Sequence, residues 1–395
     1  MSRENKKILF ITEDFPSGLN GNSVRTKGLL EHFLKTGYKI DLCCLHFEGF
    51  KIHQFKHKNL RVYLVESNLI KKTLANFYIN FFKIIFSFFT ITLRRLFNKD
   101  LNDKLAKLLH KNSYDAVFYD GYSTLQYLDH QVNAEKIYID DEDFTDLFRQ
   151  RFLLERNILK RIFYLHEYLK SSIYELYFLR KLNQIWAISP RTKKRLEKAS
   201  RVKTVIMPTI ISSMENLYSN SGTRIVFTGT LNWRENIEGL KWFISNHWNN
   251  ILKLVPDAKL LVIGQGASTE FISYLNSFNN IIYKGYVKNL KDEYAKSCLS
   301  IAPVRINAGI KVKILTYMSY GLPVVSTNIA SLGLVSTDGV LISPDKSFAK
   351  YIIILLRNQN IRKRFSKMAH SNIKNNYSDQ EMENFLSNNF NNNLS

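Results

Sequence analysis

Two doubly wound, parallel-sheet α/β domains facing across a cleft are predicted by three features of the 395-residue sequence. A β-α-β unit with a glycine-containing loop opens the chain. A second alternation of apolar strands and helices restarts near Arg224. A Ser/Asn-rich stretch, 212–222, lies between them and reads as the linker. Length supports two to three domains at about 150 residues each. With 45% hydrophobic and 13% aromatic residues the chain can build packed cores, which excludes global disorder.

Lys7–Thr12 is a nearly continuous apolar run, the mark of a strand buried on both faces. The loop Pro16–Ser23 contains Gly18 and Gly21 and leads into a helix over Val24–Lys35. That helix is stopped by Thr36-Gly37 and followed by a strand at Lys39–Leu45. A doubly wound fold places its ligand at such a loop. Further strands are expected at Tyr114–Tyr119, Ile137–Ile139 and Gln184–Ala187. In the second set, strands at Ile225–Gly229, Lys259–Gly264, Ile281–Gly285, Leu299–Val304 and Val324–Thr327 alternate with helices at Asn236–Leu254 and Gly309–Tyr320. The last of these helices meets Gly321 and Pro323, an ordinary stop signal. The division is thus 1–210, an N-terminal Rossmann-like domain; 223–370, a C-terminal Rossmann-like domain; and 371–395, a helix and tail returning to the first, with Asn388–Leu394 expected to fray.

The formal net charge is +22, which implies an anionic partner. The excess is not spread evenly. Residues 51–112 hold 13 basic and 3 acidic residues, residues 149–201 hold 14 and 4, and residues 113–148 hold one Lys against nine carboxylates. Between Lys71-Lys72 and Arg94-Arg95, the stretch 73–93 is almost wholly apolar and long enough to span a bilayer. It reads as a helix pair of the first domain, as an interfacial helix on an anionic leaflet, or as a true span. A span would split the sheet shared by 39–45 and 114–119. Cys43, Cys44 and Cys298 lack disulfide or zinc spacing, and Met1–Lys7 shows no signal-peptide pattern, which suits a reducing cytosol. None of the nine histidines has metal-ligand spacing; His53 and His57, four apart, lack a partner cluster. No P-loop, helix-turn-helix or aromatic-basic nucleic-acid motif is present.

Chemistry concentrates in Ile301-Ala-Pro-Val-Arg305-Ile-Asn-Ala-Gly309-Ile-Lys311-Val-Lys313-Ile-Leu-Thr316. A strand ending near Arg305, a close-approach glycine, a helix start and nearby cations together make an anion site. Gly309, Lys313, Thr316 and Tyr320 share one helical face, with Lys311 near the mouth; the alternative is two solvated surface lysines. The acidic run Asp140-Asp141-Glu142-Asp143 ends a strand, so its carboxylates either orient a substrate or cap a helix. Ser189-Pro190 carries the same two readings.

This stretch, with Tyr320-Gly321-Leu322-Pro323-Val-Val-Ser-Thr after it, resembles the C-terminal domain of family-4 glycosyltransferases of the two-Rossmann GT-B architecture. Phe227-Thr-Gly229-Thr-Leu-Asn232-Trp233, Pro256–Gly264 and Tyr283-Lys-Gly285-Tyr286-Val287 continue the match, which is strong over 224–345 and weaker over 7–45 and 113–200. The resemblance implies transfer of a sugar from a nucleotide-sugar to an acceptor hydroxyl with retained configuration, no obligatory metal and no resident cofactor. It implies that Arg305, Lys311 and the N–H groups near Gly309 hold the diphosphate. The donor-binding set it implies is Gly229, Asn232, Gly264, Tyr286, Val287, Gly309, Ile310, Lys313 and Thr316. Gly18, Gly21 and Asn22 form the acceptor loop, and Glu142 and Asp143 take the positions where the family often has His and Asp or Asn. The family's paired glutamates correspond to Ala308 and Thr316, and its Arg and Lys after the glycine turn to Thr230 and Glu235. Thr316 thus offers one hydroxyl where a glutamate would accept both ribose hydroxyls.

The expectation is a cytoplasmic glycosyltransferase, peripheral at the inner face of a membrane, working on a glycan or lipid-linked acceptor in bacterial-type surface polysaccharide assembly. Its partners are the nucleotide-sugar, that acceptor and an anionic membrane surface, with no nucleic acid. The departures leave open a catalytically weak or inactive relative in a glycan-assembly complex.

Overall fold

The computed structural model describes residues 6–16, 21–46, 56–66, 90, 93, 97–140, 142–211, 214–218, 222–306 and 310–390. Two compact units are present, residues 1–207 with 384–395 and residues 208–383, each built on one parallel sheet.

The first unit runs β1 (Lys7–Asp14), α1 (Gly21–Lys35), β2 (Lys39–His46), β3 (Leu60–Glu66), α2 (Lys99–Lys111), β4 (Ala116–Asp120) and a short 3-10 turn over Tyr122–Tyr127. It continues with β5 (Glu135–Asp140), α3 (Phe144–Leu154), α4 (Ile158–Leu179), β6 (Gln184–Ala187), α5 (Pro190–Ser200) and β7 (Lys203–Ile206). The sheet order is β3-β2-β1-β4-β5-β6-β7, with every pairing parallel. Connections leave in opposite directions from β1 and β4, which opens the crevice where doubly wound sheets bind ligands. Alternation along β1 feeds two cores. Leu9 and Ile11 join a cluster with Val117, Tyr119 and Tyr138. Phe10 faces the other way, into an aromatic cluster with Phe118, Phe33 and Trp186. The end of the chain completes that second cluster: Phe385 meets Trp186, and Phe390 meets Phe33, Phe118 and Trp186.

The second unit runs β8 (Arg224–Thr228), α6 (Arg234–Phe243), a π-helical turn over Ile244–Trp248, α7 (Asn249–Leu254), β9 (Lys259–Ile263), α8 (Thr269–Asn276), β10 (Ile281–Tyr283), α9 (Leu290–Ala295) and β11 (Leu299–Ala302). It continues with α10 (Val312–Ser319), β12 (Val324–Thr327), α11 (Asn328–Ser331), β13 (Val340–Ser343), α12 (Phe348–Arg357) and α13 (Gln359–Asn376). The last helix, α14 (Asp379–Asn389), carries the chain into the residues assigned to the first unit. The sheet order is β10-β9-β8-β11-β12-β13, so the reversal falls between β8 and β11. One cluster including Phe227, Leu240, Trp248, Leu260, Ile301 and Phe348 forms the core on one face.

Several elements differ from the sequence reading. The helix expected over Asn236–Leu254 starts at Arg234 and is interrupted by the π turn, where the His247 ring packs against Trp242 and Phe348. The helix expected from Gly309 starts at Val312. The strand expected at Tyr114 starts at Ala116; the Tyr114 hydroxyl instead donates to Asp41 at 2.7 Å. Within the Ser/Asn-rich stretch, the described residues 214–218 lie against the end of α10: Met214 N–H donates to Ser319 O at 3.3 Å and Leu217 N–H to Tyr320 O at 3.0 Å, and Gly321, at φ +73°, lies against the Asn216 side chain. Of the apolar stretch 73–93 only Thr90 and Leu93 lie within the described residues, and both are buried. Among the described residues no helix is long and apolar enough to cross a membrane. The cysteines are free and buried.

Phe390→Ala is expected to cost about 3–5 kcal/mol in urea unfolding, because the residue fills a closed aromatic cluster. A loss below about 1 kcal/mol would show that the chain end merely rests on the first unit.

Candidate functional site

The second unit's site forms where the chain leaves β8. Gly229 N–H donates to Ile263 O at 3.0 Å, Leu231 N–H to Gln265 O at 2.7 Å, and Gly264 N–H to Gly285 O at 2.8 Å. The loops after three neighbouring strands are therefore laced together by backbone hydrogen bonds. Glycine is obligatory there: a Cβ on Gly264 would stand 1.8 Å from Gly229 O. Asn232, exposed on the first loop, packs beside Gly266 on the second. The Tyr283 hydroxyl closes the set by donating to Gly264 O at 3.1 Å.

Over this platform lies the Lys313 side chain from α10. Its ammonium donates to Asn236 Oδ1 at 2.8 Å, lies 4.2 Å from the Phe227 ring centroid, and would be 2.6 Å from a Cβ on Gly229. Asn236, on the first turn of α6, is held in place by its own bond to Thr230 O at 2.8 Å. Desolvation drives the proton affinity of Lys313 well below the ordinary lysine value, and the charge of Lys311 adds to the effect. Lys311 occupies the N-cap position of α10, with non-helical backbone angles. The same helix is locked to the strand end by Tyr317, whose hydroxyl accepts from Thr228 N–H at 2.7 Å.

Lys313, Gly229, Gly264 and Asn232 are thus brought to one place, at the β8 side of the point where strand order reverses. Other expected residues have different surroundings. Arg305 is half exposed, pairs with Asp345 at 3.2 Å and stacks 5.3 Å from the Trp242 ring centroid. The Thr316 hydroxyl donates back to Val312 O at 3.0 Å. Tyr286 is exposed and Val287 half-buried after Gly285, and Ile310 is half-buried. Gly309 and Gly18 lie outside the described residues; Gly21 opens α1, and Asn22 is exposed on its first turn. Asn236 and Tyr317 were missing from the expected set. Asn236 had a signal, a polar residue beside the glycine turn. Tyr317, set among Ile314, Leu315 and Met318, had none.

In the first unit Asp143 caps α3, accepting from Asp146 N–H at 2.9 Å, and pairs with Arg195 at 2.7 Å. Arg195 bridges onward to Glu175 at 2.6 Å. Burial pushes the Asp143 carboxyl up, Glu175 adds to the rise, and Arg195 opposes it. Both Asp143 oxygens are therefore engaged in holding α3, α4 and α5 together. Glu142 sits half-buried in the turn before α3. Ser189 is built as an N-cap, accepting from Thr192 N–H, with Pro190 at the first helical position. A second buried pair, absent from the expected set, joins Arg25 of α1 to Asp120 at the end of β4 at 2.7 Å. Among the described residues no group of three or more His, Cys, Asp or Glu is arranged to hold a metal ion.

Two substitutions test these readings. Arg195→Met strands two buried carboxylates and is expected to cost about 3–5 kcal/mol near neutral pH. The loss should shrink towards about pH 5, where the stranded groups, their proton affinity now raised, take up protons; a pH-independent loss in chemical unfolding would contradict the pairing. Lys313→Met should raise Tm at neutral pH in the ligand-free protein. A lysine with lowered folded-state proton affinity costs stability below its unfolded value of about 10.4, so the gain should close as pH rises towards that value. A lower Tm for Lys313→Met would mean that the ammonium is structural.

Residues 222–358 match the family described as Glycosyl transferases group 1. A curated relative, the uncharacterized 44.6 kDa protein in the cps region of Klebsiella pneumoniae, is 27% identical over 249 residues, which is 60% of this chain and 63% of that protein. Sucrose-phosphate synthase from Thermosynechococcus elongatus superposes with a TM-score of 0.73 at 12% identity, covering 98% of this chain and 99% of the other. A TarM mutant from S. aureus, in complex with Fondaparinux, alpha-GlcNAc-glycerol and UDP, superposes with a TM-score of 0.70 at 12% identity, covering 98% and 100%. Residues 222–358 thus match the group 1 glycosyl transferase pattern, and they hold the second of two parallel doubly wound sheets in a chain of GT-B fold.

Proposed function

We propose that the protein transfers a sugar from a nucleotide-sugar to a glycan or lipid-linked acceptor, with retained configuration and without a metal, in bacterial-type surface polysaccharide assembly at the inner face of a membrane. The observation that carries this reading is the desolvated Lys313 ammonium beside Gly229 at the sheet's reversal point. As the bond between the anomeric carbon and the diphosphate oxygen breaks, negative charge grows on the diphosphate. A half-buried cation, held in place before the reaction, stabilises that charge more in the transition state than in the ground state. Lys313 and Lys311 supply positive charge there, and the exposed Tyr286 is positioned after Gly285 to meet the base. In the first unit the acceptor loop at Gly18–Asn22 receives the hydroxyl that attacks, and Glu142 is the carboxylate that orients it.

Further support comes from what the similar proteins are described with: the cps region for the Klebsiella pneumoniae relative, and UDP with alpha-GlcNAc-glycerol for the TarM mutant. Thr316 favours a second reading, since its hydroxyl hydrogen is committed to Val312 O and its contribution to ribose binding is small. On that reading the chain is a weak or inactive partner in a glycan-assembly complex.

Incubation with a panel of nucleotide-sugars and a lipid-linked acceptor extract, read by mass spectrometry of the product, separates the two. Transfer is expected, with Lys311→Ala and Lys313→Met each lowering the rate by about a hundredfold or more. Undiminished transfer in both variants would remove the site assignment, and absence of any nucleotide-sugar binding would favour the inactive partner.

A further inference from the structure

The first unit carries an apolar surface that its cores do not use. Helices α3 and α4 form a hairpin joined by Glu155-Arg156-Asn157. The turn is well braced. Glu155 Oε1 accepts the N–H groups of Arg156 and Asn157 at 3.0 and 3.1 Å, and the Asn157 side chain caps α4 by accepting from Lys160 N–H at 3.1 Å. Around this fixed tip Leu153, Leu154, Ile158, Leu159, Ile162 and Phe163 are all exposed, Leu159 at 74% and Ile158 at 65%. Every residue from Arg156 to Phe163 is exposed, more than one full turn of helix. Ile158, Leu159, Ile162 and Phe163 fall on one face of α4, an amphipathic face open to whatever medium covers it.

Charge identifies that medium. Arg149 pairs with Asp146 at 3.1 Å, but residues 151–166 carry Arg151, Arg156, Lys160 and Arg161 against one acid, Glu155, and that acid is folded into the turn. Lys160 and Arg161 flank that apolar face on either side, and their long stems let the charged heads rise to a headgroup layer while the apolar side chains sit deeper. Arg161 already lies over the Phe152 ring at 5.1 Å, away from any carboxylate of the tip.

The geometry points to the α3–α4 tip, residues 153–163, as a membrane-docking element that dips Leu153, Leu154, Ile158, Leu159 and Ile162 into the interface of an anionic bilayer while its arginines and Lys160 meet lipid phosphates. This rests on the membrane side of the function proposed above and assigns it to one element. The donor site of the second unit is independent of it.

The test is co-sedimentation of the full chain with phosphatidylcholine vesicles carrying phosphatidylglycerol, against vesicles of phosphatidylcholine alone. Wild type should pellet with the former, and less so as salt rises. Leu159→Ser combined with Ile162→Ser should weaken partition by about tenfold or more, at unchanged Tm since both side chains are exposed. Lys160→Glu combined with Arg161→Glu should do the same. A Phe163→Trp reporter should shift its emission to the blue on adding anionic vesicles. Equal binding of the Ser variant, or wild type left in the supernatant, would overturn the proposal. So would a self-associated wild type that the Ser variant converts to a smaller species without vesicles, since the occupant would then be a second copy. UDP and GDP binding, measured without vesicles, should be unaffected by the tip variants. If wild type binds neither nucleotide, the donor reading fails while the docking result stands.

Discussion

The second unit depends on the contact of two backbone segments at the ends of β8 and β9. Gly264 can accept no side chain because the carbonyl of Gly229 occupies its place, and Gly229 in turn leaves room for the Lys313 ammonium. This double constraint lets the half-buried Lys313 of α10 bring its ammonium against the glycine turn. Phe227 beneath and Asn236 beside it complete a pocket that removes hydration without adding a carboxylate. The charged state of Lys313 is therefore costly in the free protein, and an anion bound beside it would offset that cost. Tyr317 fastens the same helix to Thr228, next to the glycine turn, through its hydroxyl.

The large positive charge divides by environment. Some of it is already neutralised inside the first unit, where Arg25 is buried against Asp120 and Arg195 against Asp143 and Glu175. These pairs contribute order rather than attraction for a ligand, since their fields are satisfied locally. On the function proposed above, two other groups of cations meet two classes of phosphate: Lys311 and Lys313 a diphosphate in the second unit, and the α3–α4 tip a lipid headgroup layer in the first. A soluble anion and a surface call for different supports: one desolvated ammonium on a rigid platform, or several solvated cations among apolar side chains.

Much of this was legible in the residues. Continuous apolar strands, the glycine loops and the Gly321–Pro323 stop located both sheets and the anion-binding stretch, because backbone geometry constrains those positions directly. What escaped depended on long-range packing. The partners of Arg305 are Trp242 and Asp345, 63 and 40 residues away along the chain, so nothing in its local sequence says that its guanidinium stacks and pairs. Asp143 lay in an acidic run that reads equally as a catalytic or a capping group, and only Arg195 from α5 distinguishes them. The π turn at Ile244–Trp248 and the binding of residues 214–218 along α10 were hidden for the same reason. The exposure of Ile158, Leu159 and Ile162 was invisible too, since an amphipathic pattern does not show which face remains uncovered.

The most direct measurement is the titration of Lys313 itself, followed by NMR of lysine side chains labelled at the ε-carbon, with Lys313→Met assigning the signal. In the free protein Lys313 should lose its proton well below the other lysines, and addition of the cognate nucleoside diphosphate should move its titration upward as the phosphate charge replaces lost hydration. A Lys313 signal that titrates with the surface lysines, and that does not respond to the nucleotide that binds, would contradict a diphosphate site at the junction of Gly229 and Gly264.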